Sequence, residues 1–260
     1  CVCVCVCVCA CVCVVFPTRR HPRAFIHVET DAHAHIHTHV YAQVVAYLVE
    51  KEGFEATYVG VGADGVASAA DIAAAVRPGC TAIVTVMHSN NETGALMPVR
   101  EAAAAARAVG ALSHTDASQS VGKVEVDFAE LGVDLLTVAG HKLYAPKGVG
   151  ALVARRDAPA QPERFMIGAG HEGGRRAGTE NIILNVGLGA AAELACGASP
   201  HERVPEARAR LHTLRERLRE ALFAALEREG VEARVNGPAE AALRLPNTLS
   251  VSVRGVVGAH

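Results

Sequence analysis

Residues 81–119 read TAIVTVMHSNNETGALMPVREAAAAARAVGALSHTDASQ. TAIVTVM predicts a buried strand that runs into the polar loop SNNETG. VREAAAAARAVG predicts a helix closed by Gly110. ALSHTDA predicts a second strand, again with a polar end. Strand, helix and strand in this order point to an α/β fold.

The alternation continues outward. Upstream, VVAYLVE predicts a helix that stops at Gly53, ATYVGV a strand, and DIAAAVRPG a short helix ended by Pro78 and Gly79. Downstream, DLLTVAG and GVGALVA predict two more buried strands on either side of HKLYAPKG. The fold class expected is therefore α/β with a mainly parallel sheet. After residue 155 the texture changes. RFMIGAGHEGGRRAGTEN is Gly-rich, basic and too polar for core, whereas NIILNVGLGAAAELA predicts a buried helix. A long charged amphipathic helix follows, and ARVNG and NTLSVSV predict strands of a small α+β C-terminal unit, expected to be incomplete at His260. The division expected is a low-complexity segment over 1–38, a large domain over 39–195 and the small unit over 196–260.

At 260 residues the chain is long enough for a sizeable core. A formal charge of −2 gives no reason to expect nucleic acid or an anionic membrane as partner. Seven of nine cysteines alternate with other residues from Cys1 to Cys13, leaving Cys80 and Cys196 for the rest. That is no spaced disulfide framework and suits a reducing, intracellular compartment, although nothing indicates which one. Strand alternation would put all the tract's cysteines on one face, and likewise His33, His35, His37 and His39. Thiolates and imidazoles are zinc and copper ligands, so a metal-binding N-terminus is one alternative function. The reading preferred is a simple-sequence tract outside the fold, solvated histidines, and no assigned metal ligand.

Chemistry is expected where polar residues end apolar strands, because ligands of open parallel sheets sit beyond the strands' carboxyl ends. SNNETG, HTDASQS and AGHKLYAPKG bring the Asn91 amide, the Asp116 carboxylate, the Gln119 amide and the pair His141–Lys142. Pyridoxal phosphate needs such a set: a lysine for its aldehyde and a carboxylate facing its pyridine nitrogen. Gln119 suits the ring oxygen. Taken singly each residue has a plainer reading, Asp116 as a turn or cap residue and the lysines as solvated; Lys123 and Lys147 are left as surface lysines.

HSNNETG, HTDASQSVGK, GVDLLTVAGHKLYAPKGVGAL, GRRAGTEN and LPNTLSVSV together resemble the cysteine desulfurase and selenocysteine lyase family. These are class V, fold-type I pyridoxal-phosphate enzymes, and the resemblance covers about residues 39–255. It implies a pyridoxal-phosphate-binding large domain and removal of sulfur or selenium from L-cysteine or L-selenocysteine, leaving alanine. Lys142 resembles the lysine that bonds the cofactor and moves the α-proton, and His141 a residue near the phosphate. Asp116 and Gln119 match the pyridine-nitrogen and ring-oxygen partners, and Asn91 an amide that contacts cofactor and substrate. His39 matches a histidine stacked on the cofactor ring, although Thr38 stands where the family has Glu. Thr179 matches a residue reaching the phosphate of the other subunit, which implies a homodimer. A sulfur or selenium acceptor protein is a further implied partner.

Several family features are missing. The Cys-Val tract and TRRHPRAF stand where the family has a phosphate-cradling Gly/Ala/Thr turn, and Ala139 replaces a serine. The family's persulfide-forming cysteine and its substrate-carboxylate arginine lie beyond the LPNT strand, past His260. Cys80 and Cys196 match neither position and are read as structural. Selenium leaves more readily than sulfur, so selenocysteine chemistry is expected to survive the loss better. A truncated, non-catalytic chain that binds cofactor or dimerises is the other alternative.

Overall fold

A computed structural model describes residues 2–7, 24–28, 40–164, 166–196 and 200–257. Its centre is a sheet of β1 (Val2–Cys7), β2 (Ala24–Val28), β3 (Glu55–Val59), β4 (Thr81–Met87), β5 (Leu112–Asp116), β6 (Leu135–Ala139) and β7 (Gly150–Arg155), in the spatial order β1-β7-β6-β5-β4-β2-β3. The pairs β2–β3, β2–β4, β4–β5 and β5–β6 are parallel; β6–β7 and β1–β7 are antiparallel. The sheet is thus mainly parallel, as its apolar runs predict.

Helices cover both faces, which is why the central strands are apolar on both sides. On one face, α2 (Ala69–Ala75) and α3 (Val99–Ala108) bury Ile72, Ala102, Ala103 and Ala106 against Val84, Val86 and Leu136. On the other, α1 (Val40–Glu52) packs Val45 and Leu48 on Ile83 and Leu112. The short α4 (Phe128–Leu131) starts at Asp127, whose side chain accepts from the amides of Ala129 and Glu130. Beyond the sheet, α5 (Ile182–Cys196) packs Leu188 and Ala191 on Leu143, Ala145 and Val149. A smaller unit follows, built from α6 (Pro200–Arg228) and the antiparallel pair β8 (Ala233–Asn236) and β9 (Ser250–Val253).

Four expectations need correction. The Cys-Val tract does not lie wholly outside the fold: Val2 to Cys7 pair with Arg155 to Gly150. Alternating valines favour extended backbone, and β7 offers a free edge to it. Residues 24–28, unread as an element in the sequence, form β2 between β3 and β4, so the large sheet takes strands from within 1–38. The helix over Ile182–Cys196 is not buried all round: Ile183 is 82% exposed, and Ile182, Val186 and Leu194 are exposed too. Cys80 has no core role, being exposed on the turn before β4. Among the described residues, no helix is long and apolar enough to cross a membrane and no group of three or more metal-ligating side chains occurs. His33, His35, His37 and His39 lie outside the described residues.

Candidate active site

Strands β4, β5 and β6 are parallel neighbours, so the residues following each emerge at one edge of the sheet. The register sets Met87 opposite Asp116 and Asp116 opposite Thr137. Backbone bonds continue beyond the strands: His88 N–H donates to the Asp116 carbonyl (2.8 Å) and Ala117 N–H to the Thr137 carbonyl (3.0 Å). Asp116 is half-buried, and its Oδ1 accepts from Ser118 N–H at 2.8 Å, which turns the chain toward Gln119. The turn-residue reading and the site reading of Asp116 are therefore compatible, since one carboxylate oxygen satisfies the turn.

In the loop after β4 the two asparagines divide the work. Asn90 is buried and its Oδ1 accepts from Glu92 N–H (3.0 Å), Thr93 N–H (2.7 Å) and Thr93 Oγ1 (3.0 Å). That turn leaves Asn91 exposed at its tip. Below it, Ser120 Oγ lies 2.8 Å from His88 Nδ1 and 2.6 Å from Ser89 Oγ, tying this loop to the Gln119 turn. Burial pushes the His88 imidazole down to about 4, so the ring is neutral in this hydroxyl cluster.

After β6 the chain forms a 3₁₀ turn over Gly140–Leu143, which carries His141 and Lys142, both exposed. Glycine is required at its start: a β-carbon on Gly140 would lie 2.6 Å from the Val149 carbonyl oxygen. Tyr144 closes the turn at φ 70, a left-handed conformation costly for a side chain of its size, and is 92% exposed. Lys147 is exposed, as expected of a surface lysine. Lys123 is not. It is half-buried and donates to the Gln119 carbonyl at 2.9 Å. Burial, with the Lys142 ammonium as a second cause, holds Lys123 below the ordinary lysine range. Its spacing four residues after Gln119 was the available signal. The VGK turn hides it because a lysine after glycine ordinarily reads as solvated.

The structure therefore gathers Asn91, Asp116, Gln119, His141 and Lys142 onto one edge of the sheet. Thr179 stands apart, exposed in the segment before α5, whose start is capped by Asn181 Oδ1 accepting from Leu184 N–H at 3.1 Å. His39 lies outside the described residues. The donor set fits pyridoxal phosphate, with a half-buried carboxylate at a strand end beside a lysine on the next loop. Ala139 is buried and brings no hydroxyl to the phosphate.

The family model described as aminotransferase class-V matches residues 16–259. A protein named cysteine desulfurase IscS from Anaeromyxobacter dehalogenans (strain 2CP-C) is 44% identical over 212 residues, covering 82% of this chain and 50% of the relative. One of the same name from Clostridium botulinum (strain Hall / ATCC 3502 / NCTC 13319 / Type A) is 39% identical over 213 residues, covering 82% of this chain and 51% of the relative. This chain spans about half the length of the curated relatives it matches. Among solved structures, a NifS-like protein superposes with a TM-score of 0.79 at 29% identity, over 93% of this chain and 60% of that one. DndA from Streptomyces lividans does so at 0.70 and 31% identity, over 86% of this chain and 58% of that one.

Proposed function

Since the chain belongs to the class-V aminotransferase family, whose members depend on pyridoxal phosphate, we propose that it holds this cofactor at Lys142 and serves removal of sulfur from L-cysteine. The observation that carries this reading is the meeting of Asn91, Asp116, Gln119 and Lys142 at the carboxyl ends of three adjacent parallel strands. When bound, the cofactor supplies an electron sink for the bonds at the substrate's α-carbon. The chain's own residues do the rest. Lys142 would hold the cofactor through its Nζ and would serve as the base for the proton at the substrate's α-carbon. Asp116 would partner the ring nitrogen and favour its protonated form, Gln119 would partner the ring oxygen, Asn91 would orient ring and substrate, and His141 would serve the phosphate.

The exposed apolar face of α5 supports a homodimer, in which Thr179 would serve the phosphate of the partner's site. Ile182, Ile183 and Val186, close after Thr179 in the chain, are all exposed, as apolar side chains are where a second surface covers them. Selenocysteine as an alternative substrate and a protein acceptor for the released sulfur or selenium belong to the same reading.

The test is an absorbance titration of the purified chain with pyridoxal phosphate, beside Lys142→Ala. A visible band that survives dialysis in the first and is lost in the second is expected. No difference between the two removes Lys142 from its role and the reading with it.

A further inference from the structure

His114 precedes Asp116 by two residues on β5, so their side chains leave the same face of the sheet. Its ring is 4% exposed and bonded on both sides. Nδ1 lies 2.7 Å from Thr85 Oγ1 on β4, and Nε2 lies 2.9 Å from Thr137 Oγ1 on β6. Thr85 is the register partner of His114, and Thr137 that of Asp116. The imidazole thus links three adjacent strands by side chains just below the level where Asp116 is held by backbone bonds.

Tautomer chemistry constrains this link. A neutral imidazole has one donor and one acceptor, so one threonine hydroxyl accepts the ring N–H and the other donates to the bare nitrogen. An aliphatic side chain would leave two buried hydroxyls without the ring, and a lysine or arginine would bring a permanent charge. Burial opposes charge on the ring and pushes it down to about 4, against the pull of the Asp116 carboxylate.

We propose that His114 is a positioning residue for Asp116, a neutral strut that holds β4, β5 and β6 at the spacing which presents the Asp116 carboxylate to a cationic ring nitrogen of the ligand. The proposal rests on the reading of Asp116 as the pyridine-nitrogen partner. Because the strut carries no charge, it adds no competing cation beneath the carboxylate. Because it is planar and bonded at both ends, it resists sideways movement of the strand ends.

The test compares two ligands, pyridoxal phosphate and its analogue in which C–H replaces the ring nitrogen. Each is titrated by absorbance into the wild-type chain, His114→Phe, Thr137→Val, Asp116→Asn and the double variant His114→Phe/Asp116→Asn, after thermal unfolding shows that each folds. Thr137→Val keeps the ring and removes one of its bonds, so it serves if His114→Phe does not fold. Expected is binding of pyridoxal phosphate weakened roughly tenfold or more in His114→Phe, the scale of a buried partner left unmet. Thr137→Val should fall between it and wild type. The carbon analogue should bind all of these chains alike, and His114→Phe should cost nothing further once Asp116→Asn is present. Equal weakening of both ligands, or of neither, overturns the strut. A wild-type chain that does not hold pyridoxal phosphate through Lys142 overturns the underlying reading, and the strut's role with it.

Discussion

Gly94 lies against Thr248: a β-carbon on the glycine would stand 2.8 Å from the threonine's Cβ. The contact belongs to a clasp between the loop that carries Asn91 and the small C-terminal unit. Leu96 N–H donates to the Leu243 carbonyl (2.9 Å), and Leu245 N–H to the Gly94 carbonyl (2.8 Å). Arg215 donates to the Leu245 carbonyl (3.0 Å), and Arg244 to the carbonyls of Pro238 (3.1 Å) and Thr248 (3.3 Å). The loop that carries Asn91 is therefore held in part by the C-terminal unit.

Gly94→Ala should destabilise the chain. The position has φ +76, and the left-handed backbone plus the overlap with Thr248 together cost about 2–4 kcal/mol. Urea unfolding measures the loss. Hydrogen exchange over residues 89–97 should rise with it, and an unchanged exchange rate there would mean that the clasp does not hold the loop.

Gly140→Ala should disturb the Lys142 turn, since its β-carbon would meet the backbone oxygen of Val149 at 2.6 Å. The Lys142-dependent band with pyridoxal phosphate is expected to weaken or vanish. Gly189→Ala is the control. Nothing lies within 4 Å of its β-carbon, and in an exposed helical position it should be neutral or stabilise by up to about 1 kcal/mol.

Stability should fall as the solution is acidified from pH 6.5 towards 4. His88 and His114 are both pushed from 6.5 to about 4 by burial. Between those values the unfolded chain binds protons that the folded chain refuses, so lowering pH favours unfolding, and the full stabilisation is present only above pH 6.5. The loss is on the order of a few kcal/mol for the pair. Denaturation at pH 7.5 and 5.0 reads it directly, and His88→Asn should shrink the difference by roughly half, leaving the part due to His114.

Asp134 is a structural carboxylate whose loss should leave the site chemistry recognisable. It is buried, accepts from Ser113 N–H and Oγ at 2.8 Å each, and pairs with Arg155. Asp134→Ala should cost about 3 kcal/mol or more by leaving these donors unmet. The Lys142-dependent band should persist at temperatures where the variant is still folded.

Ile183→Asp should abolish self-association without unfolding the chain, because Ile183 is exposed within the protomer. Sedimentation is expected to show a dimer for the wild-type chain and a monomer for the variant. A wild-type monomer at all accessible concentrations would sink the homodimer.

The alternation of apolar runs and Ala-rich helices was enough to reveal β4, α3, β5 and β6, because parallel strands buried on both faces carry their signal in composition. The polar ends of those strands likewise marked Asn91, Asp116, Gln119 and Lys142. β1 and β2 were not legible in the same way: a Cys-Val repeat reads as simple sequence, and AFIHV is too short to declare itself without the neighbours it pairs with. The exposure of Ile182, Ile183, Val186 and Leu194 was not legible, because apolarity alone does not say which face of a helix packs on the core.

The sequence by itself determined the fold class, the order of the strands' polar ends and a set of side chains whose chemistry suits pyridoxal phosphate, since these depend on local pattern and side-chain chemistry. Only the tertiary structure decided the lateral relationships: Thr85, His114 and Thr137 in one hydrogen-bonded row, Lys123 folded back on Gln119, and Gly94 clasped by Thr248. Those depend on which strands become neighbours and in what register, and that is settled by the packing of the whole sheet.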